Sequence, residues 1–132
     1  MDRDAFDRLV ADALRSIPRR FRDAMANVVI VVEDEPSRAL LREMGIDPPD
    51  TLLGLYQGTP LTERQWDYGN TLPDRILLFQ GPHERASRSE DDLVVAIGET
   101  LIHEIGHYFG MDEAQIEAIE ENYWRKRGRE SL

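Results

Sequence analysis

The sequence predicts an α+β domain, on three observations: an amphipathic helical pattern opens the chain, short apolar runs bounded by turn residues occupy its middle, and two capped helices follow. Phe6, Leu9, Val10, Ala13, Leu14 and Ile17 recur at three- and four-residue steps, which predicts a first helix closed by Pro18. A second short helical piece is expected over residues 21–26. Val28 to Val32 is an unbroken β-branched run between Asn27 and Glu33, the pattern of a buried central strand. Residues 36–44 are expected to be helical and to stop at Gly45.

Pro48-Pro49 breaks the chain, and Leu52 to Tyr56 and Ile76 to Phe79 predict two further strands, the latter at the sheet edge, where an extended substrate would pair. Between them residues 58–70 form a long turn-rich connection in which Trp66 and Tyr68 either line a cleft or cover a small core. Gly81-Pro82-His83 reads as a turn, which makes His83 a surface histidine.

The last third is the most informative. Ser89 with Asp92 three residues later resembles a capping box, and Glu90, Asp91 and Asp92 place negative charge on a first turn. From there Leu93, Val94, Ile97, Leu101 and Ile105 mark one buried face, and Gly110 supplies the stop. His103 and His107 share a different side with Ala96, Glu99 and Thr100, so both imidazoles stack on one helical edge. Two neutral imidazoles one turn apart can hold a Zn²⁺ ion, and Glu104, rotated by about 100°, can reach a water on that metal. The pattern H-E-x-x-H fixes only three residue types, and its weight comes from the helix that carries it.

A catalytic zinc site usually takes three protein ligands and leaves a fourth position for water. The elongated motif H-E-x-x-H-x-x-G-x-x-H places its third ligand ten positions after the first histidine, and Glu113 stands there. Asp112 is the alternative, but with Gln115 it forms a second capping box for a helix whose stripe is Ile116, Ile119 and Tyr123. A different zincin arrangement draws its glutamate ligand from a second helix, which makes Glu117, Glu120 and Glu121 further candidates; they lie closer to the motif than that arrangement requires and read rather as solvated acids of an amphipathic helix.

Composition sets outer bounds. At 132 residues, with 41% apolar, the chain is expected to form one domain, residues 1–132, without a membrane span. Its N-terminus lacks the basic and apolar segments of a secretory signal, so a cytoplasmic location is expected. The absence of cysteine removes disulfides, thiolate zinc sites and cysteine nucleophiles. A net charge of −10 disfavours nucleic acid, and the basic run at residues 125–129 reads as favourable charge at a helix end or a solvated tail.

With these residues in view, the chain resembles the bacterial minimal zincin-like metallopeptidases. The likeness rests on His103-Glu104-Ile105-Gly106-His107-Tyr108-Phe109-Gly110, on residues 27–33 and 53–62, and on residues 72–76 and 81–85, within a span of about residues 15 to 121. It implies a small mixed sheet packed on the active-site helix and a metal site of His103, His107 and the residue ten positions on. Many members carry Asp at that last position, where this chain has Glu113. It further implies one catalytic zinc ion, Glu104 as general base, and hydrolysis of a peptide or protein substrate, with Tyr108, Tyr123, His83 or Arg75 as chemically suitable oxyanion stabilisers. The alternative is a metal-binding interaction module of the same fold with little or no proteolysis.

Overall fold

A computed structural model describes residues 1–58 and 74–130, the last seven of these by backbone only. Helices α1 (Arg3–Ser16) and α2 (Arg19–Ala24) are followed by a single 3-10 turn at Met25–Asn27, strand β1 (Val28–Glu33) and helix α3 (Arg38–Glu43). Strands β2 (Gly54–Gln57) and β3 (Asp74–Phe79) precede helices α4 (Gln80–Ala86), α5 (Glu90–Tyr108) and α6 (Glu113–Glu130). This is the α+β architecture the periodicities predict. Residues 59–73, with Trp66 and Tyr68, and the side chains of the basic run lie outside the described residues. Among the described residues no helix is long and apolar enough to cross a membrane.

The three strands are ordered β1-β3-β2, with β1 parallel and β2 antiparallel to β3. Two expectations are corrected here. Val28 to Val32 lies on an edge, with Val29 45% exposed, whereas Ile76 to Phe79 occupies the centre and is buried along all four residues. A β-branched run sets strand propensity without fixing strand order, and the bulkier Ile76-Leu77-Leu78-Phe79 segment fills the position covered on both faces.

α5 is the axis of the core. Leu93, Val94, Ile97, Leu101, Ile102 and Ile105 meet Phe6, Val10 and Ala13 of α1, Ile76 and Leu78 of β3, and Ile116 and Tyr123 of α6. Its start is capped as the sequence implies: Ser89 Oγ accepts from the Asp92 N–H at 3.1 Å. Its end is a Schellman turn, in which the Gly110 N–H donates to the His107 carbonyl and the Met111 N–H to the Gly106 carbonyl, both at 3.0 Å. Gly110 takes φ 73°, which a side chain would oppose.

The expectation of a surface His83 is also overturned. Gly81 and Pro82 lie in the first turn of α4, where a missing N–H costs nothing, so the dipeptide starts a helix rather than a turn. His83 is fully buried, with Nδ1 2.9 Å from the Phe79 carbonyl and Nε2 3.1 Å from Thr100 Oγ1. Desolvation pushes the imidazole below its ordinary 6.5, against the backbone carbonyls of Phe79 and Ala96, which favour its charged form.

α6 approaches α5 over two glycines. A Cβ on Gly106 would lie 2.7 Å from Ile116 Cγ1, and one on Gly98 would lie 2.2 Å from Tyr123 Oη. Gly106→Ala should therefore lower stability by about 1–2 kcal/mol despite the better helix propensity of alanine, because overpacking outweighs that gain. Urea denaturation checks this, and trimming the opposing side chain with Ile116→Val should recover part of the loss.

His83 generates a pH prediction. Its folded-state affinity for a proton is depressed, so the unfolded chain binds more protons in acid, and the stability contributed is complete above about pH 6.5 and declines as pH falls below it. In chelator-treated protein, the urea midpoint should drop more between pH 7 and pH 5 for the wild type than for His83→Gln. Equal drops would remove His83 from the account.

Candidate metal centre

Two helices and one strand bring the site together. His103 and His107, one turn apart on α5, place their ring centroids 4.5 Å apart. Ligating atoms of His103, Glu104 and His107 all lie within 4.8 Å of one another. Across the turn from α5 to α6, Glu113 Oε1 lies 3.2 Å from His107 Nε2 and 3.7 Å from His103 Nε2. Tetrahedral zinc with bonds of about 2.0–2.2 Å separates adjacent ligand atoms by about 3.3–3.6 Å, a range that the two separations from Glu113, 3.2 and 3.7 Å, bracket closely. The chemistry fits as well, two imidazoles and a carboxylate being a usual catalytic zinc set.

Asp112 and Glu113 differ in what engages them. Asp112 Oδ1 accepts from the Gln115 N–H at 2.8 Å, and Gln115 Oε1 accepts from the Asp112 N–H at 2.9 Å, a closed capping box. That engagement leaves Glu113, the first residue of α6, as the carboxylate that touches both imidazoles.

Glu104 turns to the sheet. Its Oε1 accepts from the Tyr56 N–H of β2 at 2.7 Å. Gly54 lets β2 come this close: a Cβ there would meet Thr100 Cγ2 of α5 at 2.6 Å. Burial, the largest influence, pushes the Glu104 carboxyl above its ordinary range, while the Tyr56 N–H and then the two histidines pull it back. A carboxylate with raised proton affinity beside two imidazoles is suited to accepting a proton and giving it back.

The oxyanion candidates separate by position. His83 is committed to the core, and Tyr123 is buried with its hydroxyl donating to the Val94 carbonyl at 3.3 Å. Arg75 is exposed and donates to Gln57 Oε1 at 2.7 Å. Tyr108 directly follows His107, and its ring lies 5.4 Å from that of Tyr56, the residue that holds Glu104. Tyr56 is fixed in turn through its hydroxyl, which donates to the buried carboxylate of Asp74.

Two features depart from the sequence reading. The Tyr56 N–H is one; a glycine inside a strand, Gly54, is the signal for the close backbone approach behind it. The other is Glu120, whose Oε1 lies 3.5 Å from His103 Nδ1 and whose side chain is 21% exposed, against 66% for Glu113. Burial pushes Glu120 upward, opposed first by His103. The seven-residue step from Glu113 places it on the same side of α6.

Comparison with known proteins bears on the fold and the family. No curated protein matches the chain. Among solved structures it is similar to a conserved hypothetical protein from Thermo thermophilus, at 23% identity over 83% of this chain and 94% of that one, with a TM-score of 0.53; this likeness speaks to the fold alone. The family model described as zincin-like metallopeptidase matches residues 25–123, which take in the sheet, α5 and α6 as far as Tyr123. The chain belongs to the zincin-like metallopeptidase family, whose members are expected to hold zinc.

Proposed function

We propose that this chain is a zinc-dependent peptidase that hydrolyses peptide bonds, with His103, His107 and Glu113 as metal ligands and Glu104 as general base. One observation carries the reading: a single carboxylate oxygen of Glu113 stands at ligand spacing from the Nε2 atoms of both histidines. When bound, zinc polarises the scissile carbonyl and lowers the pKa of water at its open position.

The chain's own groups supply the rest. Glu104 takes the proton of the attacking water and delivers it to the departing amine, so one carboxylate serves as base and then as acid. The Tyr56 N–H fixes one oxygen of that carboxylate and leaves the other for the proton. Of the four candidates Tyr108, next in sequence to His107 and packed against the ring of Tyr56, is assigned to steady the oxyanion. The Tyr56 N–H points away from β3, so the outer edge of β2 runs past Glu104, and there, rather than along β3, an extended peptide would pair. Retention of Glu104 favours hydrolysis over a purely metal-holding interaction module, which needs no general base.

Native mass spectrometry should find one zinc per chain. Glu104→Gln should keep that zinc and lower kcat on a peptide library by about 10²–10⁴-fold. Zinc uptake with no cleavage that depends on Glu104 would instead favour the interaction module. Glu113→Ala should weaken zinc binding by at least about 100-fold, whereas Asp112→Ala should chiefly cost about 1 kcal/mol of helix stability. The opposite order in a chelator competition would make Asp112 the ligand.

A further inference from the structure

α6 reaches the same imidazole from two sides. Glu113 approaches His103 at Nε2, at 3.7 Å, and Glu120, two turns further along, approaches it at Nδ1, at 3.5 Å. No other carboxylate of the described residues pairs with Nδ1 of either histidine within 4.0 Å. Glu120 is the more shielded acid of the two, held beside Tyr123 and Ile116, whose burial against α5 fixes the rotation of the helix.

An imidazole that ligates through Nε2 must carry its proton on Nδ1, and a carboxylate at Nδ1 selects that tautomer, sets the plane of the ring and raises the basicity of the ligating nitrogen. We propose that Glu120 is a positioning residue that holds His103 as the Nδ1–H tautomer with Nε2 turned to the metal. The proposal rests on the ligand set above. It assigns α6 two roles, a ligand at its first residue and a ring-orienting acid two turns later. Among the described ion pairs, His103 is the histidine with a carboxylate at Nδ1.

The test measures zinc affinity by chelator competition and the tautomer of His103 by long-range ¹H–¹⁵N NMR of the zinc-loaded protein, for wild type, Glu120→Ala and Glu120→Gln. Wild type should show His103 protonated at Nδ1 with a slowly exchanging proton. Glu120→Ala should bind zinc about 10–100-fold more weakly and lose the protection of that proton, while Glu120→Gln, which keeps an acceptor and the helix propensity, should recover part of both. Wild-type zinc affinity in Glu120→Ala with an unchanged Nδ1–H signal overturns the proposal and leaves the ligand set standing. A loss as complete as that of Glu113→Ala overturns it by making Glu120 a ligand. A wild type that takes up no zinc through His103 and His107 removes the ligand set and this proposal together.

Discussion

How closely α6 can approach α5 governs everything at the site. The contact is helix on helix at two bare places, Gly98 under Tyr123 and Gly106 under Ile116, where even a methyl group would intrude. With those two side chains seated, the rotation of α6 is fixed, because a helix cannot turn without lifting both from their seats. Its acidic stripe follows. Glu113 and Glu120 arrive at opposite nitrogens of His103 because the apolar stripe beside them is already placed. The hydrophobic packing positions the polar chemistry, and neither would be in register without the other.

β2 forms the opposite wall. It meets α5 where Gly54 faces Thr100, and its backbone presents one N–H to Glu104. A backbone donor in a paired strand moves less than a side chain, so the Glu104 carboxylate is held by a rigid group. Around two imidazoles the fold gathers three carboxylates, Glu104, Glu113 and Glu120, two of them partly shielded from water. A cation bound among them would relieve the mutual repulsion of these acids.

Local chemistry was legible in the sequence, and long-range arrangement was not. Ser89, Gly110 and the Asp112–Gln115 pair each act within a few residues, and each behaves as its type and spacing imply. The choice of Glu113 over Asp112 could be argued for the same reason, since the cap that engages Asp112 is local. Strand order failed because β propensity reports how a segment fits a pleated surface, not which neighbours it finds. His83 failed because Gly-Pro opens a helix as readily as it makes a turn, and only tertiary packing decides. The Tyr56 N–H stayed hidden because a backbone N–H leaves no trace in composition, and Glu120, one of three acids the sequence offers on the last helix, looks solvated until its neighbour is known.

The turn between the two helices has a further meaning. Phe109 to Asp112 is closed by the Schellman bonds of Gly110 and Met111 and then by the cap of α6, with no slack residue between them. One residue more or fewer would rotate α6 by about 100°, which would carry Ile116 and Tyr123 out of the core at the same stroke that carries Glu113 away from the histidines. The segment is thus a ruler shared by folding and chemistry. Selection for a packed core alone would preserve its length, and change at this site is confined to exchanging side chains on a spacing that cannot vary.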